Sequence, residues 1–427
     1  MLPMQQSPVP TSASPTLTQQ IAGTAANEAT SLDDRVAELE ATNTHLVASI
    51  DALVDSVLQL RNDDLLTVDQ RSQEQGLRIE ALQARLERSN REPADSPRTR
   101  PEERTPFLAA LADKVDLVPD PQLTAFARLL KTYKPHADAI SRLLYERLPA
   151  ADQQRFVQWF LKRWADINIV NPVEMQLYLQ AVEAVKQQAR EPVEVNGRSY
   201  RLLDLKPQGH DFKLVAYDWC WCVHDVYYNQ YEHGDFRVQP GDVIIDAGGF
   251  IADTAVLFHD KTKGRCEVHS FEILQENIDL FVANAEMNGI ADRVVLNKLA
   301  LADTTGGSVG VKVGALQGGT AMSATPTGEE QVQTIRLDDY VARMQLNRVD
   351  LIKMDIEGAE MPALRGAVDT IRHFRPKLAL CLYHKPDDVL TIPTFIESTG
   401  VAYDFRFKWV HLVHGWEAVL LASPRSR

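Results

Sequence analysis

The chain has 427 residues, enough for two or three domains, and its hydrophobic fraction of 44% is ordinary for a globular protein. A net charge of -14 argues against an electrostatic nucleic-acid footprint and against binding to an anionic membrane surface. Four cysteines in so long a chain make no disulfide framework, and Cys220-x-Cys222 has no second pair at zinc spacing, so reduced thiols are expected.

Met1 to Pro10 has no basic start followed by a hydrophobic core, and no apolar run reaches the length of a membrane span. A cytoplasmic protein is therefore expected. Residues 1–30 are rich in Ser, Thr, Pro, Gln and Ala and read as a disordered tail. Across 31–88 a heptad follows, with Val36, Asn43, Ile50 and Val57 at position a and Leu32, Leu39, Leu46, Leu53 and Leu60 at d. β-Branched residues at a, Leu at d and one buried Asn predict self-association as a parallel two-stranded coiled coil. A lone amphipathic helix lying on its own protein is the plainer alternative. Residues 89–105 are charged and proline-punctuated, which makes a linker.

From 106 to 190 proline restarts a helical pattern at Pro106, Pro121, Pro135, Pro149 and Pro172. Apolar residues recur three and four apart (Phe126, Leu129, Leu130, Tyr133; Phe156, Trp159, Phe160, Trp164), predicting four or five short helices with an aromatic core. Residues 191–240 read as a lead-in. A hairpin turns at Asn196-Gly197, and an aromatic patch follows at Tyr217, Trp219, Trp221, Tyr227, Tyr228 and Tyr231. The patch fits either the roof of a site or simple packing on a sheet.

The last region, 241–427, opens on Val243-Ile244-Ile245-Asp246-Ala247-Gly248-Gly249, a buried parallel strand running into a glycine turn. A helix is expected over Ile251 to His259. Strand, turn and helix make the nucleotide-binding corner of a doubly wound α/β sheet. In Asp246-x-Gly248-x-x-x-Ala252 the acid stands where a dinucleotide site needs its first glycine. An acid there would repel a pyrophosphate and favour S-adenosylmethionine (SAM), with its ammonium and sulfonium groups. Glu272 ends the next strand-like run and stands where an acid can accept both ribose hydroxyls. Further strands are expected over Arg293 to Asn297, Gln331 to Arg336, Val349 to Met354, Lys377 to Leu382, Tyr403 to Phe407 and Glu417 to Ala422. The glycine-rich Thr305 to Gly328 reads as a loop or loose hairpin. Strand and helix alternate through most of this region.

Asp246-Ala247-Gly248-Gly249, Phe271-Glu272, Thr334-Ile335-Arg336-Leu337-Asp338-Asp339 and Leu351-Ile352-Lys353-Met354-Asp355-Ile356-Glu357-Gly358-Ala359-Glu360 together resemble the FkbM-type SAM-dependent methyltransferases. The likeness covers about Asp225 to Ala422. It implies a doubly wound, seven-stranded class I (Rossmann-like) SAM-binding sheet, and O-methylation of a hydroxyl on a sugar, a glycan or a small secondary metabolite. The chain departs from the family at Ala252, where glycine is usual; there, glycine mainly lets helix and strand pack closely.

Asp246, Gly248, Gly249, Glu272 and Glu357 are the expected cofactor-binding residues. An alcohol nucleophile must also lose a proton, and ligands of open sheets bind at the carboxyl ends of the strands. Asp355 and His384 stand there, and His384 is the expected base with Asp355 positioning the acceptor. Asp355 also fits an N-cap or first-turn acid of the helix after it. No signature requires a metal. A second reading, based on Ala252, is a catalytically impaired scaffold or binding module dimerised by its coiled coil.

Overall fold

The computed structural model describes residues 105–188, 191–220, 229–313, 320–323 and 330–425. The expected tail, the coiled coil and all but Thr105 of the linker lie outside these residues, as do Trp221, Cys222, Tyr227 and Tyr228. Pro101–Arg427 forms one compact unit.

Five helices come first: α1 (Pro106–Ala112), α2 (Leu123–Tyr133), α3 (Ala137–Leu143), α4 (Ala150–Ala165) and α5 (Pro172–Lys186). Pro106 and Pro172 occupy the first helical position, where a missing N–H costs nothing, and Asn171 caps α5 by accepting the Val173 N–H. Pro121 and Pro135 sit in single 3₁₀ turns leading into α2 and α3, and Pro149 immediately precedes α4. The aromatic faces of these helices close on each other: Phe107 meets Phe160 edge-on at 5.2 Å, and Tyr133 meets Phe160 at 4.6 Å.

Three short antiparallel strands follow, β1 (Pro192–Val195), β2 (Arg198–Asp204) and β3 (Lys213–Ala216). Asn196 and Gly197 turn the first hairpin with φ of 49° and 77°, the left-handed pair a tight two-residue loop demands.

The main sheet then begins with β4 (Val243–Ala247), followed by α6 (Asp253–Thr262), β5 (Glu267–Phe271), α7 (Gln275–Met287) and β6 (Val294–Asn297). A small second sheet combines β7 (Ala300–Leu301), β8 (Ser308–Val313), β9 (Thr320–Ser323) and β10 (Glu330–Ile335). After α8 (Leu337–Arg343) the chain returns to the main sheet with β11 (Leu351–Met354), α9 (Glu360–Arg365), α10 (Val368–Phe374) and β12 (Lys377–Cys381). It closes with α11 (Asp388–Ser398), β13 (Tyr403–His411) and β14 (Trp416–Pro424).

The main sheet has seven strands in the order β13-β14-β12-β11-β4-β5-β6, a doubly wound α/β arrangement. Its five strands from β12 to β6 run parallel, whereas β14 joins β12 and β13 antiparallel. Every residue of β4 is buried, as expected for an apolar β-branched run between two strands with helices on its faces. From β4 the chain winds one way to β5 and β6 and later the other way to β11 and β12. The β4–β11 boundary is therefore the topological switch point, and ligands of such sheets bind outside the carboxyl ends of the strands there. The helices α1–α5 pack on the far edge of the same unit: Phe156 and Trp159 of α4 lie 5.2 and 5.3 Å from Phe407 of β13.

Candidate active site

The corner after β4 is built by backbone. The N–H groups of Gly248 and Gly249 both donate to the Phe271 carbonyl, at 2.9 and 3.0 Å. Gly248 has φ of 83°, and a Cβ there would lie 1.9 Å from the Asp355 carbonyl oxygen, so no side chain fits between the ends of β4 and β11. At Gly249 a Cβ would press on Ser270 and Phe281 at 3.0 Å. Phe250 and Ala252 are also left-handed, with φ of 44° and 69°. Ala252 is the N-cap residue of α6 and is fully buried, so close packing at this position is joined by a second demand. The position calls for a left-handed backbone, which glycine supplies without strain.

Glu272 lies at the end of β5 and ties the corner to the next turn. Its carboxylate accepts the N–H groups of Phe250 (2.9 Å), Ile273 (2.7 Å) and Leu274 (2.8 Å). Burial raises its pKa against the pull of those hydrogen bonds.

Asp246, an expected cofactor-binding residue, sits inside the sheet among partners of its own. Its residue is 0% exposed, and the parallel register sets Lys353, Asp246 and Ser270 side by side across β11, β4 and β5. The Lys353 ammonium lies 3.1 Å from Oδ1, and the Ser270 hydroxyl donates to Oδ2 at 3.0 Å. Lys353 also donates to the Gly248 carbonyl at 2.5 Å. Burial alone would lower the Lys353 pKa, but Asp246 and Asp355 raise it above the ordinary lysine value, so the ammonium stays charged. Asp246 thus holds the corner from beneath, through an ion pair that cancels its charge.

Asp355 follows β11 and faces a polar cluster. Tyr231 donates to its Oδ2 at 2.7 Å, Tyr383 donates to Oδ1 at 2.8 Å, and His384 Nε2 stands 3.4 Å away. Burial works to raise the Asp355 pKa, but His384, Lys353 and the two hydroxyls hold it below the usual carboxylate value. The N-cap alternative for Asp355 does not apply. α9 starts only at Glu360, with Ala359 as its cap residue, and the Ile356 N–H is taken by Glu360.

His384 is buried among carboxylates: Glu360 at 2.8 Å from Nδ1, with Asp355 at 3.4 Å and Glu357 at 3.6 Å from Nε2. Burial alone would lower its pKa, yet the three carboxylates raise it to about 10. Both ring nitrogens face carboxylates, an arrangement that favours the protonated ring over the neutral form a histidine base needs. Glu357 differs from its neighbours. Its side chain is 46% exposed and its backbone is left-handed at φ 53°; partial loss of water on its inner side, together with Asp355, Glu360 and Glu272, lifts its pKa to about 7 despite His384.

The structure therefore brings Gly248, Gly249, Glu272, Asp355, Glu357 and His384 to one end of the sheet, and places Asp246 underneath. Lys353, Ser270 and Tyr383 join this cluster without a role foreseen in the motifs. One signal was present for Lys353: a lone cation in an apolar strand, matching a lone acid in another. The Tyr231–Asp355 contact joins residues 124 positions apart and had no local signature beyond the aromatic patch. Among the described residues of the patch, Tyr231 reaches the site, Tyr217 stacks on Phe250 of the corner at 5.9 Å, and Trp219 lies tilted against Phe250 at 6.0 Å. Among the described residues, no group of three or more His, Cys, Asp or Glu side chains is arranged to hold a metal ion.

Residues 234–421 match the family model of the methyltransferase FkbM domain. A 77-residue stretch is 39% identical to Methyltransferase 1 of Beauveria bassiana (strain ARSEF 2860), covering 18% of this chain and 31% of that protein. The chain thus spans about a third of the length of this curated relative. Among solved structures, methyltransferase FkbM from Methylobacillus flagellatus KT aligns at 18% identity with a TM-score of 0.37, over 58% of this chain and 60% of that one. Aeropyrum pernix fibrillarin, solved with natively bound S-adenosyl-L-methionine, aligns at 12% identity with a TM-score of 0.32, over 56% and 85% of the two chains. The chain carries a methyltransferase FkbM domain over residues 234–421.

Proposed function

We propose that this protein is a SAM-dependent methyltransferase that methylates a hydroxyl of a sugar, a glycan or a small secondary metabolite. The observation that carries the reading is the convergence of the glycine corner, Glu272 and the Asp355-Glu357-His384 cluster at the switch point of a methyltransferase-type sheet.

The residues present fit SAM. Gly248 and Gly249 leave a side-chain-free corner where a ligand can approach backbone. Glu272 is fixed beside that corner by three backbone N–H donors and the Asn277 side chain, and ribose hydroxyls would have to share its two oxygens with these donors. With Asp246 neutralised by Lys353, the surplus negative charge of Glu272, Asp355, Glu357 and Glu360 over His384 favours a cationic cofactor and disfavours a pyrophosphate. SAM supplies a methyl group already activated by its sulfonium.

The protein's task is then to bring the acceptor oxygen into line and to remove its proton. Asp355, ionised and clamped by Tyr231 and Tyr383, orients the acceptor hydroxyl. Glu357, exposed at the lip with a pKa of about 7, accepts its proton. His384 keeps Asp355 and Glu360 ionised and limits repulsion among the carboxylates. Ala252 adds backbone strain and leaves this cluster in place, so we favour turnover over a binding module that has lost it.

The test is incubation of the full chain with methyl-labelled SAM and extracts of glycans and metabolites. Label should enter a hydroxyl-bearing acceptor, and Glu357→Gln should lower its transfer by about 10²-fold or more. Glu357→Gln at full rate would move the base elsewhere. Absence of transfer to any fraction by a protein that binds SAM would favour the binding module.

A further inference from the structure

The helices before the sheet have no role in the chemistry above, yet they reach the turn that carries His384. Tyr383, His384, Lys385 and Pro386 leave the end of β12. Arg163 of α4 donates from Nε to the Tyr383 carbonyl at 2.8 Å, and Tyr133 at the end of α2 donates its hydroxyl to the Pro386 carbonyl at 3.0 Å. These two carbonyls bracket His384. On the other side, the Lys385 N–H donates to Asp388 at 2.8 Å, and the Lys385 ammonium binds the Gly358 carbonyl.

Both donors are themselves held. Tyr133 is buried and packs edge-on against Phe160, and burial raises its pKa well above the ordinary value, so its hydroxyl keeps the proton it donates. Arg163 lies in the last turn of α4. There the Trp159 indole donates to the Gly415 carbonyl at 2.9 Å, and a Cβ at Gly415 would come within 2.9 Å of the Arg163 backbone. The helix cannot withdraw from this edge without breaking those contacts.

We propose that α2 and α4 brace the His384 turn, with Arg163 and Tyr133 acting as positioning residues that hold the imidazole against Glu360, Asp355 and Glu357. The proposal rests on His384 belonging to the site described above. It assigns the helices a place in the active site without contact to substrate, and it makes their packing on β13 a determinant of the polar cluster.

The test reads His384 itself, independently of methyl transfer, by nuclear magnetic resonance titration of the histidine-labelled full chain, with His384→Gln to assign the signal. Loss of a nearby cation alone would raise an imidazolium pKa, whereas loosening His384 from its carboxylates would lower it. The two causes therefore have opposite signs. Arg163→Met should lower the His384 midpoint by about one pH unit or more and speed hydrogen exchange at the Lys385 amide about tenfold or more. Arg163→Lys should restore part of both, and Arg128→Met, on the exposed face of α2, should change neither. Tyr133→Phe removes one hydroxyl only and should shift both readouts in the same direction, which keeps the test usable if Arg163→Met does not fold. An unchanged or raised midpoint with unchanged exchange, in either folded variant, would overturn the brace. Failure of SAM binding or methyl transfer with these shifts present would instead count against the proposed function.

Discussion

Lys353 and Asp246 face each other in the β11–β4 register with almost no exposed surface, the ammonium 3.1 Å from the carboxylate. Removing one partner of such a pair leaves an uncompensated buried ion, at about 3–5 kcal/mol. Lys353→Met should therefore lower the unfolding free energy by that order in denaturant titrations, and adding Asp246→Asn should recover a large part of it. His384 makes a second prediction. Its folded pKa of about 10 exceeds the ordinary 6.5, so its contribution to stability is full below pH 6.5 and is lost as pH rises through 10. His384→Gln should flatten the decline of stability over that alkaline window. Glu357 works in the opposite range of function: a base with a pKa of about 7 makes the rate fall as pH drops below 7. That acidic limb should vanish in Glu357→Gln, whereas a limb unchanged in that variant would sink the assignment.

At the level of elements, the turn from β4 into α6 holds three left-handed residues in a short span, Gly248, Phe250 and Ala252. An alanine in that conformation costs about 1–2 kcal/mol relative to right-handed backbone, offset by glycine's greater freedom when unfolded. Ala252→Gly should stabilise the protein modestly, by up to about 1 kcal/mol, seen as a raised thermal midpoint. The corner was legible because its signals are local: a β-branched run, an acid, two glycines. The ends of β11 and β12 were legible for the same reason, which put Asp355 and His384 on adjacent strands. What the acids do was less legible, since ionisation depends on neighbours from distant segments. The partner of Asp246 is hidden because Lys353 lies 107 positions later and pairs with it only through the sheet, and the carboxylates around His384 are hidden because Glu360 and Glu357 close on it only in three dimensions. The four-stranded sheet of β7, β8, β9 and β10 is not legible as a separate sheet, because nothing in the Gln331 to Arg336 pattern says which sheet a strand joins.

For the whole molecule, the helices and the sheet form one unit, joined by the aromatic contacts of α4 with β13 and by the hydrogen bonds to the His384 turn. No described helix is long and apolar enough to cross a membrane. We also propose that residues 31–88 pair two chains as a parallel coiled coil. Light scattering should then show a dimer for the full chain and a smaller species for a chain starting at Pro106, and Asn43→Val should be more stable but less uniform in assembly. Two monomers would end that proposal. The central claim is that the end of the sheet at β4 and β11 is a SAM site, and calorimetry of the full chain tests it most directly. S-adenosylhomocysteine and SAM should bind with one site per chain, NAD should not, and Glu272→Ala should weaken binding about tenfold or more through lost charge-assisted hydrogen bonds. Tight binding of NAD with no binding of either SAM or S-adenosylhomocysteine would contradict it.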